Sequence, residues 1–200
     1  MSEDKKAFGD KRLRIIEAAT AVFSRKGFHK ARVGEIAEEA GVGKGTVYEY
    51  FSSKKELFLE MIFYAHQQYG DYLEKELCQI KNFPDGLKKL FDVTIQFMEQ
   101  HREMALVLMA DHPMIDDDIH TALLRKERER FAFMSGMLKD LARRGEIRPI
   151  NIKAALLVIF GTLYLVNGKI VFSNPDQEKG PDFKQLSRDA IDILLHGLAK

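Results

Sequence analysis

The chain of 200 residues is long enough to bury a sizeable core, as one large helical domain or as a small domain joined to a larger one. Its net charge of +1 conceals an uneven distribution. Residues 1–55 hold 12 Lys and Arg against 8 Asp and Glu, a balance of +4, whereas residues 56–200 hold 19 against 22, a balance of −3. Only the N-terminal part is therefore suited to a polyanionic partner.

The cellular compartment follows from the cysteine content and the apolar runs. The single cysteine, Cys78, excludes an internal disulfide, and no apolar signal segment precedes the basic N-terminus, so we expect a cytoplasmic protein. The longest apolar run, residues 154–166, has 13 residues, whereas a bilayer span requires roughly 20. We therefore expect a buried helix there and no membrane partner.

The N-terminal segment divides into an arm and a first helix. Residues 1–10 mix both charges without periodicity, and we expect a disordered arm. A basic arm that enters a minor groove is the alternative, but Glu3, Asp4 and Asp10 dilute its positive charge. From residue 11 to residue 26 apolar side chains recur at helical spacing, and Gly27 ends this helix.

Residues 33–51 contain two short helical patterns separated by the glycine-bounded break Gly41-Val42-Gly43. Gly41 can adopt the left-handed conformation that ends many helices, and Val42 can then return to the core. In the second pattern Val47 and Phe51 share the inward face, which leaves the other side chains at the N-terminal end or on the outer face. This arrangement is typical of a helix-turn-helix. The apolar face of the first helix can pack against the two short helices, which gives a three-helix unit.

The remaining chain predicts further helices and no convincing strand. Ser53 and Glu56 have the spacing of a capping box, so a fourth helix should begin here and continue for about five turns. Later helical patterns cover residues 87–100, 104–110, 116–144, 152–172 and 183–198. The predicted fold is all-α with about nine helices.

This order of motifs resembles the TetR family of bacterial transcriptional regulators. The residues that carry the resemblance are Ile36-Ala37-Glu38-Glu39-Ala40-Gly41-Val42, Lys44-Gly45-Thr46-Val47-Tyr48, Tyr50-Phe51 and Lys54-Lys55-Glu56-Leu57. The rest of the chain resembles the family only in the number and order of its helices.

The resemblance implies two domains: a helix-turn-helix DNA-binding domain over residues 1–52 and a larger helical ligand-binding and dimerisation domain over residues 53–200. It further implies a homodimer that binds a palindromic, double-stranded operator, usually as a repressor released by a small-molecule effector. A helical protein-interaction module with a vestigial DNA-binding motif is the alternative. The sequence contains no Gly-rich phosphate loop, nucleophile elbow or Cys/His constellation, so we expect no enzyme activity, cofactor or metal.

The resemblance also assigns the DNA-binding residues. The recognition helix becomes residues 44–50, with Lys44 able to donate to guanine, Thr46 to meet a thymine methyl or a phosphate, and Gly45 to let the backbone approach. Tyr48, Tyr50 and Lys54 occupy positions that usually contact phosphates. Lys54 and Lys55 stand in the first turn of the fourth helix, where the helix dipole disfavours cations. A bound phosphate would offset this cost, and the plain alternative is a solvated pair.

Two departures from the family pattern affect this surface. Ala31-Arg32 replace the Thr or Ser that usually precedes the second helix, so the usual cap is lost and Arg32 becomes a candidate phosphate contact. Glu49 is an acid on the recognition helix. Phosphate would repel it, so Glu49 either accepts a hydrogen bond from a cytosine amino group or faces solvent.

A further set of candidate residues concerns the effector pocket and the dimer interface. The aromatic and methionine content of helices five to eight, where the resemblance places the pocket, fits an apolar cavity, and it also fits ordinary packing in the core. Candidate ligand-binding residues are His66, Arg102, Met104, His112, Phe131, Tyr164 and Asn167. Candidate dimer residues, on the two apolar helices at the C-terminal end, are Ala154, Gly161, Gly168, Ile191, Leu194 and Leu195. We expect an apolar or amphipathic effector.

Overall fold

A computed structural model describes residues 2–77, 80, 82–109, 117–172 and 182–197 of the chain. Nine α-helices and no strand occur in these residues. The helices are α1 (Ser2–Lys30), α2 (Val33–Glu39), α3 (Lys44–Tyr50), α4 (Lys54–Leu77), α5 (Phe83–Gln100), α6 (Arg102–Met109), α7 (Asp117–Arg143), α8 (Ile152–Phe172) and α9 (Phe183–His196). The all-α fold predicted from the sequence is confirmed.

The helices form two compact units. Unit 1 comprises Met1–Gln68 and Glu103–Ile119, and unit 2 comprises Tyr69–Arg102 and His120–Lys200. The first boundary falls inside α4, so this helix contributes residues to both units. The division by role at residues 52 and 53 stays a prediction, since these units are defined by packing.

Helix ends follow the local chemistry of the sequence. Asn151 Oδ1 accepts a hydrogen bond from the Ala154 amide at 3.2 Å and so caps α8 as predicted. Helix α5 begins four residues earlier than the apolar pattern predicts, at Phe83, because Asn82 Oδ1 accepts from the Asp85 amide at 2.9 Å. Pro84 lies in its first turn, where a missing amide hydrogen costs nothing.

The first helix is longer than predicted. Residues 2–10, which we expected to be disordered, belong to α1. Their apolar periodicity is weak, but Lys, Glu and Ala favour helix intrinsically. Gly27, with φ at 71°, interrupts the helical backbone where the sequence predicted the end.

Each unit has its own apolar interior. In unit 1, α1 packs against α2 and α2 against α3, and the ring of Phe58 on α4 lies 5.0 Å from the rings of Phe23 and Phe28 in edge-on geometry. In unit 2, α5 packs against α8 and α9 around buried Phe91 and Leu156. Burial of each such side chain contributes about 1.5–3 kcal/mol.

Candidate nucleic-acid interface

Helix α3 is anchored by two apolar side chains and presents the rest of its surface outward. Val47 and Phe51 are each 1% exposed, and the Phe51 amide donates to the Val47 carbonyl at 3.0 Å to close the helix. As the periodicity predicted, the inward face belongs to these two residues. Among the outer residues, Lys44, Gly45, Tyr48 and Glu49 are exposed, and Thr46 and Tyr50 are half-buried.

The turn between α2 and α3 has a defined backbone. Gly41 has a φ of 63°, its amide donates to the Glu38 carbonyl at 3.0 Å, and the Val42 amide donates to the Ala37 carbonyl at 2.9 Å. These are the bonds of a helix end that closes on a left-handed glycine. From α1, Arg14 Nη2 donates to the Ala40 carbonyl at 2.6 Å. The turn is thus tied to α1 as well as to α2.

The start of α2 is capped by a carboxylate. The Arg32 amide donates to Glu35 Oε2 at 3.2 Å, and Lys26 Nζ donates to Glu35 Oε1 at 3.0 Å. The lysine bond first, and the Arg32 amide second, hold the pKa of Glu35 below its ordinary value. Glu35 therefore makes the glutamate half of a capping box, whose other half is usually made by a Ser or Thr side chain. The Arg32 side chain is left exposed on the surface.

The capping box predicted at the start of α4 forms only in part, because the Glu56 carboxylate binds Ser52 and not the amide of Ser53. Ser53 Oγ accepts from the Glu56 amide at 3.1 Å, as predicted. The Glu56 carboxylate accepts from the Ser52 hydroxyl and from the Ser52 amide, the latter at 2.6 Å, rather than from the amide of Ser53. These two bonds lower the pKa of Glu56.

Lys54 faces the protein. Its Nζ donates to the Ala31 carbonyl at 2.7 Å and to the His29 carbonyl at 3.3 Å, and it lies 4.6 Å from the centre of the Phe28 ring. These contacts hold the corner between α1 and α2. Neither of the two alternatives drawn from the sequence, a phosphate contact or a solvated cation, included this internal role. Lys55, the next residue, is exposed.

Arg12 is a second inward cation that the sequence did not single out. Its guanidinium lies 5.3 Å from the centre of the Phe51 ring and pairs with Glu60 of α4. It thereby joins α1, the end of α3 and α4. Arg12 and Arg14 lie beside the apolar stripe of α1. At such positions the sequence does not distinguish a cation that contacts neighbouring helices from one that faces solvent.

The surface left for DNA lies on one short stretch of chain. Arg32, Lys44 and Lys55 provide exposed cations, Tyr48 is 47% exposed, and Glu49 is the one acid among the predicted contact residues. The exposed N-terminal turn of α3 is the end that enters a major groove in helix-turn-helix proteins. The arrangement can therefore combine phosphate contacts with contacts to base edges.

The structure does not gather the predicted ligand residues into one unit. Half-buried His66 and Met104 belong to unit 1, whereas Arg102, Phe131, Tyr164 and Asn167 belong to unit 2, and His112 lies outside the described residues. Within unit 2 the ring of Phe131 lies 6.2 Å from that of Phe160 on α8. Asn167 is only 2% exposed, whereas Tyr164 is 57% exposed on the outer side of the same helix.

The predicted dimer residues also divide into two sets. Ala154 and Gly161 are exposed and Gly168 is half-buried, on the outer face of α8. Ile191, Leu194 and Leu195 of α9 pack against the core of unit 2 instead. Exposed apolar residues on the two helices are Leu157, Val158, Tyr164, Leu165 and Phe172 of α8 and Leu186 and Ile193 of α9.

Comparison with known proteins places this geometry among regulators. The profile of the family described as "Bacterial regulatory proteins, tetR family" matches residues 15–61. The fatty acid metabolism regulator protein of Bacillus subtilis strain 168 is 22% identical over 189 residues, which cover 94% of this chain and 95% of that protein. The HTH-type transcriptional regulator RutR of Escherichia coli K12 is 25% identical over 167 residues, 78% of this chain and 74% of that protein.

Solved structures share the fold along nearly the whole chain. FadR from Bacillus subtilis in complex with stearoyl-CoA has a TM-score of 0.79 at 22% identity and covers 94% of this chain and 99% of its own. AibR in complex with isovaleryl coenzyme A and operator DNA has a TM-score of 0.74 at 14% identity, covering 92% and 97%.

These comparisons decide between the two functions that the sequence left open. The family profile covers α2 and α3 completely, the segment whose outward surface is described above. The relatives are transcriptional regulators, which does not favour a helical interaction module with a vestigial motif. Residues 15–61 of the chain match the tetR family of bacterial regulatory proteins, and relatives that align with most of the chain are transcriptional regulators.

Proposed function

We propose that this regulator is a homodimeric repressor of a palindromic operator and that an acyl-coenzyme A thioester releases it from DNA. The observation that carries the DNA-binding part is the outward surface of α3, with Val47 and Phe51 buried beneath it. A seven-residue helix buries too little surface to be explained by stability alone.

In the proposed complex the N-terminal turn of α3 enters the major groove. Lys44 donates to guanine O6 or N7, Thr46 contacts a thymine methyl, and Gly45 allows the backbone to approach. Glu49, exposed on the same helix, accepts from a cytosine amino group. Phosphate contacts by Arg32, Tyr48, Tyr50 and Lys55 fix the register of the protein on the duplex.

The second copy pairs through the outer face of α8. Leu157 is 68% exposed, Leu165 69% and Phe172 59%, and they follow one another at helical spacing along one side of the helix. The opposite side of α8 lies in the core of unit 2. Among the described residues α8 is the one helix long and apolar enough to cross a membrane by length and composition. A helix with one face in a core and one in a dimer interface has the same composition.

The class of effector is supported by two relatives and by unit 2. One relative binds stearoyl-CoA and the other isovaleryl coenzyme A, which differ in acyl chain but share the thioester and the nucleotide. In this chain Phe131 and Phe160 lie side by side on α7 and α8, next to an apolar core. Such surroundings suit an acyl chain.

An operator selection followed by a release assay tests the proposal. The wild-type protein is used to select duplexes from random-sequence DNA, and we expect a palindromic consensus bound more weakly as salt rises. Stearoyl-CoA, isovaleryl-CoA, free coenzyme A and free stearate are then added to the complex. Release by an acyl-CoA and not by coenzyme A is the expected result.

The three parts of the proposal, which are DNA binding, the effector class and the dimer, fail separately. If the wild-type protein selects no sequence, or if Lys44→Ala and Tyr48→Ala proteins bind the selected duplex with full affinity, the DNA-binding assignment is wrong. If a selected duplex stays bound in the presence of both thioesters, the effector class alone is wrong. A monomer in sedimentation at assay concentration would contradict the dimer.

A further inference from the structure

Arg14 contacts the helix-turn-helix within the protein itself, and this contact involves no nucleic acid. It lies on α1, 26 residues before its acceptor, and its Nη2 is 2.6 Å from the carbonyl oxygen of Ala40. Ala40 is the C-terminal cap of α2. Carbonyls at a helix C-terminus lack an intrahelical donor and carry the negative end of the helix dipole, so a guanidinium is a well-suited partner.

The same guanidinium also lies against the turn. A Cβ atom built on Gly41 would be 3.2 Å from Arg14 Nη2, tighter than ordinary van der Waals contact. Gly41 has a φ of 63°, so its backbone already favours glycine. The turn between α2 and α3 is therefore held by the hydrogen bonds of its own amides to α2. On the other side it contacts the Arg14 side chain.

The orientation of α3 depends on this turn. Only four residues, Ala40 to Gly43, separate α2 from α3. A change of angle at Ala40 or Gly41 would therefore move the whole exposed turn at Lys44. Contacts with base edges tolerate little displacement, whereas attraction to phosphate falls gradually with distance.

We propose that Arg14 is a positioning residue for operator recognition: by holding the Ala40 carbonyl from α1, it fixes the direction in which α3 presents its reading face. The inference rests on the proposed DNA-binding function and adds a residue outside the predicted contact surface. A guanidinium used in this way neutralises no phosphate. Its loss weakens binding to the correct sequence and leaves the electrostatic part of binding intact.

The test compares Arg14→Met with Arg32→Met in the full-length chain. Both variants remove one guanidinium, and Arg32 is the exposed candidate phosphate contact. Each protein is titrated against the duplex selected by the wild type and against a scrambled duplex of the same composition, over a range of salt concentrations. Amide hydrogen exchange of free protein at Gly41 and Val42 reports on the turn itself.

For Arg14→Met we expect affinity for the selected duplex to fall about tenfold, the size expected for loss of one charge-assisted hydrogen bond. Affinity for the scrambled duplex should change less than about twofold, and the slope of log affinity against log salt should stay at the wild-type value. For Arg32→Met the slope should decrease by about 0.9 per subunit. Exchange at Gly41 and Val42 should be faster in Arg14→Met alone.

Three results would overturn the inference: a decrease in salt slope for Arg14→Met as large as that for Arg32→Met, an equal loss of affinity on both duplexes, or unchanged exchange at the turn.

If Arg14→Met melts below the assay temperature, Arg14→Gln takes its place. Glutamine is also neutral, so a phosphate contact would still appear as a lower slope. Failure of the wild-type protein to select any sequence contradicts the proposed function and is seen before the variants are tested.

Discussion

The two units are held in different ways. In unit 1 the corners of the helix-turn-helix are fixed by cations that donate to backbone carbonyls: Arg14 to Ala40, and Lys54 to Ala31 and His29. In unit 2 the core is apolar, and two buried polar atoms, Asn167 Oδ1 and Ser187 Oγ, have no hydrogen-bond partner among the described residues. Hydrogen bonds fix directions, whereas apolar contact is non-directional. The corners of unit 1 are therefore fixed in direction by charged donors, whereas the core of unit 2 rests mainly on non-directional apolar contact.

The largest expected effect tests the apolar side of this comparison. Phe91 is fully buried in the core of unit 2, and Phe91→Ala should lower the free energy of unfolding by about 3–5 kcal/mol. Phe133→Ala is the matched control because Phe133 is 49% exposed, and it should cost less than about 1 kcal/mol. Denaturant unfolding at one fixed protein concentration measures both. Equal losses would show that burial does not dominate in unit 2.

A smaller effect is expected at the turn of unit 1. Gly41→Ala should destabilise by about 1–2 kcal/mol because a Cβ is disfavoured at positive φ, and the new methyl would also press on the Arg14 guanidinium. Gly34→Ala is the control, since Gly34 lies inside α2 with open space at its Cβ, and it should raise stability by about 0.5–1 kcal/mol. Thermal unfolding of the two variants should therefore shift in opposite directions, and a shared direction would contradict the role given to the turn.

The Asn167 side-chain oxygen, which has no hydrogen-bond partner among the described residues, predicts a change of the opposite sign. Asn167→Leu keeps the approximate side-chain size and removes a buried acceptor that has no described partner, so stability should rise by about 1 kcal/mol. Thr94→Val is the control: Thr94 is fully buried and its hydroxyl lies 3.1 Å from that of Tyr69, so loss of this bond should destabilise by about 1 kcal/mol. If Asn167→Leu destabilises as much as Thr94→Val, the amide has a partner in solution.

The smallest effect concerns the cap of α4 and depends on pH. Because Glu56 has a folded-state pKa below its ordinary value of 4.5, its stabilising contribution is present above that pH and is lost as pH falls through the folded-state pKa. The difference in Tm between wild type and Glu56→Gln should correspond to about 0.5 kcal/mol at pH 7 and disappear in acid. A difference independent of pH would mean that the charge of Glu56 contributes nothing.

Local features of this fold could be predicted from the sequence, and long-range side-chain roles could not. The ends of α3 and α8 and the buried positions Val47 and Phe51 follow from glycine, asparagine and apolar spacing within a few residues. The internal role of Lys54 depends on carbonyls 23 and 25 residues away, and no local pattern encodes that pairing. A lysine in the first turn of a helix looks the same whether it meets phosphate, solvent or a neighbouring corner.

For the apolar C-terminal helices, the sequence likewise could not assign every apolar position to the core or to the surface. Small residues on an apolar helix indicated a contact surface, and Ala154 and Gly161 do lie on the exposed side of α8. On α9 the spacing alone did not say which of its apolar positions face the core. Ile191 is buried while Ile193 is 46% exposed, since that choice is made by the packing of α9 against α5 and α8.

The exposed face of α8 has a consequence for gene dosage. If operator binding requires two subunits joined through Leu157, Leu165 and their neighbours, the active species forms in proportion to the square of the subunit concentration whenever that concentration is below the dimer dissociation constant. Halving the amount of protein then reduces the competent species about fourfold. A substitution on this face that weakens dimerisation would lower the amount of competent dimer without touching a base. Its effect on transcription would match that of a lower gene copy number.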